Sequence, residues 1–406
     1  MATAISLGLP RTAGQRPLVG AHLVDSLGTG VVLSFVLVYF VRTTALPVTA
    51  VGAALTTARL LALPTAVVTG RLIDRFGARA TAVAGNALSA LAYAGFLTAH
   101  QLWQVVLVSW LAQVGAVAYW TSSTGLVVLA AGGGPRTRWF ALVQTVRNAG
   151  LAVGAALGAA LVGFGALRPV VALNAGSYLL AAALLLLWRP AAAPAPAAAE
   201  PATEAATPGS YRAVLRDRRY LLLVAINLAN VFGSLITSLL LAVYVSLALH
   251  RPAWLAGALL MMNGLQVVLT QGPVAARLER LRPTRAVAAA SLVNALAFGL
   301  FALLAAAPGV AVVAGLFLAM FLYNLAETMR TPFAEELSVD LADPRLRGRY
   351  LGVYQLSWNV GQAVAPGLLT LLLGHGAVLP WLFLAVTALA QPPALALLAR
   401  MGNTAH

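Results

Sequence analysis

Two acidic side chains stand where acids are rarely found. Asp25 lies inside one apolar run and Glu327 inside another, in the stretch Tyr323-Asn324-Leu325-Ala326-Glu327. A charge at the centre of a membrane span costs about 2.5–3.5 kcal/mol on insertion scales, so one that persists is a functional candidate by default. Burial favours the neutral form of a carboxylic acid and a nearby guanidinium favours the charged form. A group poised between these influences can take up a proton on one side of a membrane and release it on the other. Arg59 and Arg147 also lie inside apolar runs and are the expected charge partners of Asp25. Two readings stay open for Asp25: a structural pair that fixes helix packing, or the coupling group. Glu327 has Arg330 one helical turn away, which can neutralise it, but the sequence shows no partner at its own depth.

The elements that hold these acids follow from composition. Of 406 residues, 61% are hydrophobic and 9% are charged. A soluble domain carries about 25% charged residues, so this chain must live in lipid. A lipid-embedded chain is helical or a closed barrel, and the apolar runs are of helix-spanning length, about 20 residues. Twelve spans are expected, at 18–41, 48–70, 80–98, 103–130, 139–163, 169–188, 219–248, 254–275, 286–306, 310–331, 350–373 and 380–399. The fold class is therefore all-α, with the bilayer as partner.

All 26 basic residues are arginines, and the formal net charge is +15. Between the expected spans they alternate: 21 fall on one face and three, Arg42, Arg168 and Arg251, on the other. Basic residues are retained on the cytoplasmic side, which places both termini inside. The charge thus reads as topology and lipid-headgroup contact, not nucleic-acid binding. The first seventeen residues lack a cleavable signal pattern and read as a short cytoplasmic tail. With no cysteine, thiol chemistry and cysteine metal sites are excluded. His100, His250 and His375 fall in external loops, and neither a metal-ligand spacing nor a phosphate-cradling loop is present. No metal and no cofactor are expected.

Residues 189–218, rich in Ala and Pro, cannot pack a core and read as a semi-extended cytoplasmic linker. They divide the chain into a bundle at 1–188 and a bundle at 219–406, six spans each. The halves repeat. At an offset of 211, Arg138 aligns with Arg349, Gln144 with Gln355, Asn148 with Asn359 and Gly150 with Gly361. At an offset of 205, Asp74-Arg75-Phe76 aligns with Glu279-Arg280-Leu281. Two pseudo-symmetric six-helix bundles are the expected architecture, with a substrate site near midplane.

Between the second and third spans runs Gly70-Arg-Leu-Ile-Asp74-Arg75-Phe-Gly77-Ala-Arg79. Gly70 lets helices approach closely, and Gly77 can take the positive φ of a tight turn. Asp74 beside Arg71, Arg75 and Arg79 can form a charge network, a conformational latch. This loop resembles the signature loop between helices 2 and 3 of the major facilitator superfamily. Gly150, Gly154 and Gly158 in the fifth span resemble the glycine-rich motif of its exporters, but Ala155 stands where Pro366 stands in the second half. The resemblance is to the twelve-span drug:proton antiporters. In some of these an arginine stands eleven residues before the loop glycine, as Arg59 does, and an acid on helix 10 recurs as a proton or cation site. It implies no enzymatic activity.

Polar and aromatic side chains at helical spacing outline a cavity: Gln113, Tyr119 and Trp120; Asn227 and Asn230; Asn263 and Gln266; Tyr323 and Asn324; Tyr354 and Trp358. Each can instead serve interhelical hydrogen bonding. Glu335, Glu336, Asp340 and Asp343 are expected in a solvated loop. The reading that follows is a proton-coupled secondary transporter that exports small hydrophobic or cationic molecules by alternating access, as a monomer in a bacterial inner membrane. Its competitors are uptake or facilitated diffusion of a polar solute, and lipid handling.

Overall fold

The computed structural model describes residues 10, 12–33, 35–190 and 211–403. Every regular element among them is helical. The helices are α1 (Arg16–Leu33), α2 (Val36–Thr43), α3 (Val48–Ala62), α4 (Thr65–Phe76), α5 (Ala78–Phe96), α6 (Leu102–Ala131), α7 (Arg136–Gly163), α8 (Leu167–Leu187), α9 (Tyr211–Arg216), α10 (Arg218–Ser234), α11 (Leu241–Val243), α12 (Ala253–Leu278), α13 (Pro283–Leu303), α14 (Gly309–Asp340), α15 (Arg347–His375), α16 (Leu379–Leu389) and α17 (Gln391–Asn403).

Eight helices or helix runs are long and apolar enough to cross a bilayer. Two bent pairs, α1–α2 at 53° and α3–α4 at 43°, each make one further span. The α3–α4 break falls at Leu63–Pro64, where proline removes a helix hydrogen bond and clashes with the preceding turn. Helix α5 and the tract from α10 through Ala248 complete the twelve. That tract contains two π-helical turns, Ile236–Leu240 and Tyr244–Ala248, flanking α11.

Contacts divide the described residues into two compact units. One holds those of Pro10–Ser210 together with Asp343–Leu356; the other holds those of Tyr211–Ala342 together with Ser357–His406. The division thus runs through α15, whose first turns pack with α4. The expected linker lies mostly outside the described residues, but its last part is helical: α9, followed by Asp217, whose carboxylate accepts the Tyr220 N–H as the cap of α10. The expected solvated loop at 335–343 is also mostly helix. Glu335, Glu336 and Asp340 ride on the last turns of α14, because Ala, Glu and Leu are good helix formers and Pro332 is absorbed within the helix.

The two units share an internal repeat that is visible in detail. Tyr39 donates to the Phe96 carbonyl at 3.0 Å in one unit, and Tyr244 donates to the Phe301 carbonyl at 2.6 Å in the other. Both pairs span 57 residues, and they stand 205 residues apart. Phe96 stacks on Tyr39, while Phe301 stacks on Trp381 with centroids 4.3 Å apart. Within the first unit, α7 lies directly on α1. A Cβ at Gly154 or Gly158 would collide with the Leu27 or Val31 carbonyl, so the glycine stripe serves close helix packing.

Candidate functional site

Asp25 sits on α1, 1% exposed, with Oδ2 bonded to nothing among the described residues. One turn earlier on the same face is His22, also 1% exposed. The His22 Nδ1 is 2.8 Å from the Tyr119 hydroxyl, and its Nε2 is unpartnered. Arg147 on α7 acts electrostatically on both Asp25 and His22. Its guanidinium lies 3.8 Å from the centroid of the Trp120 ring, a cation–π arrangement. Thr29 bonds the Asp25 carbonyl at 2.9 Å and shares a 3.0 Å contact with the Tyr178 hydroxyl. Ser26 Oγ, next to Asp25 in the chain, is also buried without a partner. An unmet buried polar group costs about 1–3 kcal/mol, so this cluster has spare capacity for a proton or a small polar ligand.

Sequence reasoning missed His22. The loop histidines are the conspicuous ones, yet a histidine three residues before an embedded acid, inside an apolar run, shares its helical face. That spacing was available in the sequence.

Arg59 does not join this cluster. The buried stripe of α3 is Val51, Ala54, Ala58 and Ala62. Arg59 falls off that stripe, is exposed, and makes no ion pair among the described residues. Of the two expected charge partners, Arg147 alone acts on Asp25.

Glu327 is not isolated either. Arg330 grips it with two bonds, Nε to Oε1 at 3.1 Å and Nη2 to Oε2 at 2.7 Å. The Arg330 side chain is 3% exposed and that of Glu327 18%. The i, i+3 spacing on α14 brings both onto one face, which is why the partner one turn away reaches it.

The other expected cavity residues sort into local networks. In the second unit, Asn263 donates to Asn324 at 2.5 Å, Asn324 donates to Gln266 at 3.1 Å, and Gln266 donates to the Phe321 carbonyl at 3.0 Å. This ladder ties α12 to α14. Asn227 donates to Ser357 at 2.8 Å. Asn230 and Tyr323 are buried, and Tyr323 packs on Phe298. Gln113 is half-buried on α6. Tyr354 is buried in the first unit and Trp358 half-buried in the second, because the division falls between Leu356 and Ser357.

The loop after α4 takes a different shape from the one expected. Asp74 accepts the Gly348 N–H at 2.6 Å and pairs with Arg349 at 3.6 Å, both from the start of α15. Arg75 lies over the Phe76 ring, and Arg79 donates to the Leu185 and Leu186 carbonyls at the end of α8. There a cation meets the negative end of a helix. Gly77 takes φ +84° between α4 and α5. Gly70 packs against Gly348 and Gly352, where a side chain on either would strike the α4 backbone.

Comparison with known proteins bears on the family and the fold. A family model described as Major Facilitator Superfamily matches residues 18–366. Multidrug resistance protein MdtH of Salmonella typhimurium is 27% identical over 383 residues, covering 94% of this chain and 89% of the relative. The protein of the same name from Photorhabdus laumondii is 28% identical over 361 residues, covering 87% of this chain and 85% of the relative. Among solved structures, a bacterial homologue of the iron transporter ferroportin in its outward-facing state superposes with TM-score 0.78 at 14% identity, covering 95% of this chain and 99% of that one. The human organic anion transporter MFSD10 gives TM-score 0.70 at 17% identity, covering 95% and 100%. At these identities the structures speak to fold alone.

Proposed function

Since this chain belongs to the Major Facilitator Superfamily, a family of transporters, we propose that it exports small hydrophobic or cationic molecules from a bacterial cell in exchange for protons. It works by alternating access, as a monomer in the inner membrane with both termini in the cytoplasm. The relatives named for multidrug resistance support the export direction. The 21-to-3 arginine asymmetry supports the orientation.

One observation carries the proton coupling: Asp25 is fully buried, its Oδ2 is unpartnered, and Arg147 stands near it with its charge held on an aromatic face. A proton and a cationic substrate are alternative ways to balance such a carboxylate, and exchange between them couples the two fluxes. The internal repeat strengthens the reading. At the offset of 205, Asp25 corresponds to Asn230 and His22 to Asn227. The fold accepts a neutral amide at this register, so the acid is there for chemistry and not for packing. Glu327, its charge balanced by Arg330, serves in this proposal as a structural pair and not as the coupling group.

The test is efflux of a cationic dye from proteoliposomes with and without an imposed pH gradient. Asp25→Asn is expected to reduce gradient-driven efflux at least about tenfold, a change of about 1.4 kcal/mol in the barrier, with folding retained. Gradient-driven efflux at the wild-type rate in that variant would overturn the assignment.

A further inference from the structure

A groove of about 960 Å³ runs along the first unit between α7 and α8, with α1 as its floor. Leu27, Gly28, Leu157, Leu173 and Leu180 line it, and Arg168 stands at one end. Leu157, Leu173 and Leu180 are exposed, so the groove opens to the side, where a membrane-embedded chain meets hydrocarbon. From Arg168 to Leu180 along α8 is roughly 18 Å at 1.5 Å per residue. That is close to one leaflet of a hydrocarbon core about 30 Å thick.

Arg168 has no acid to balance it. The chain has 11 acidic residues, and none of them lies in the loops on the arginine-poor face. Among the described residues Arg168 forms no ion pair. Tyr39, the titratable group its field reaches, is already committed to the Phe96 carbonyl. Arg168 also sits at the start of α8, where the helix dipole adds to the positive potential. On the floor α1 and α8 touch at Gly28, where a side chain would strike Ser177 and Asn174.

We propose that this groove is a binding site for one anionic phospholipid, an acyl chain lying along α8 and the phosphate on Arg168. The site is independent of the substrate assigned to the Asp25 cluster. It is tested on the full chain purified in an uncharged detergent. Thermal unfolding is followed while phosphatidylglycerol, or phosphatidylcholine with the same acyl chains, is titrated in. Phosphatidylglycerol is expected to raise the Tm with half-saturation about fivefold lower, the worth of one arginine near a lipid headgroup. Arg168→Gln should erase that preference, while Arg251→Gln, on the same face but away from the groove, should keep it. Leu173→Trp, which fills the groove from an exposed position, should weaken both lipids. A preference that survives in Arg168→Gln would overturn the proposal, as would equal stabilisation by inorganic phosphate alone. Should Arg168→Gln fail to fold, native mass spectrometry of the wild type and Leu173→Trp decides: equal retention of phosphatidylglycerol by both would also overturn it.

Discussion

Asp25 and Glu327 look alike in sequence, yet their surroundings give them opposite experimental behaviour. Glu327 is held by a bidentate bond to a nearly buried guanidinium. Removing one partner of a buried pair leaves the other uncompensated, at a cost of about 3–5 kcal/mol, and replacing both with apolar groups is often neutral. Glu327→Gln is therefore expected to lower the Tm, by somewhat less than that range implies because Glu327 keeps partial exposure. Glu327→Leu with Arg330→Leu should recover most of the loss. Thermal unfolding of the single and double variants checks this. A Glu327→Gln protein of wild-type stability that has lost gradient-driven efflux would instead move the coupling role to Glu327. At Asp25 the expected order is reversed, with stability retained and coupling lost. His22 completes the residue picture. His22→Gln should slow gradient-driven efflux and change its pH profile, because an amide keeps the bond to Tyr119 but cannot titrate. A pH profile identical to wild type would confine His22 to packing. The acids were legible in the sequence because charge inside an apolar run is conspicuous. Their different environments were not, since pairing depends on which face of a neighbouring helix an arginine occupies.

At the scale of elements, Asp74 makes two unlike bonds to the start of α15: a charge-assisted bond from a backbone N–H and a long ion pair with Arg349. Asparagine keeps an acceptor for the Gly348 N–H and loses only the ion pair, worth about 0–1 kcal/mol when partly exposed. Alanine loses both, and a hydrogen bond to a charged group is worth about 1.5–3 kcal/mol. If Asp74 fastens α4 to α15 during the cycle, turnover should fall modestly in Asp74→Asn and steeply in Asp74→Ala, with the Kd for substrate nearly unchanged in both. Efflux rates set beside equilibrium dye binding measure this, and a large change in Kd would remove the latch role. The sequence marked this loop through its Gly, Asp-Arg, Gly and Arg spacing. It could not show that the partner lies 274 residues away, since nothing local encodes that approach. The end of α14 is hidden for a related reason: Glu335, Glu336 and Asp340 look like loop residues by charge, but helix propensity and packing carry α14 through them.

At the scale of the whole molecule, the repeat lets each half act as a control for the other. Positions that match in both halves, such as the tyrosine-to-carbonyl bonds at Tyr39 and Tyr244, belong to the architecture. Positions that differ, such as Asp25 against Asn230, mark what one half does alone. Twelve spans and two halves were legible because hydropathy and arginine placement survive without any knowledge of packing. The π-helical turns after α10 and the groove beside α8 were not, since both depend on how side chains meet. The shared architecture has its own test. Tyr39→Phe and Tyr244→Phe each delete a hydroxyl donor while keeping the ring in its aromatic cluster. Each leaves a carbonyl short of one donor, so each should cost about 1 kcal/mol, the usual net worth of a buried hydrogen bond. The two bonds lie in different compact units and share no partner. The double variant should therefore lose the sum of the two, within about 0.5 kcal/mol. Denaturant titration of the two single variants and the double variant measures it. Unequal losses, or a double variant far from additive, would mean that the two bonds are not the same device used twice, and the acid-for-amide comparison at Asp25 would lose its internal control.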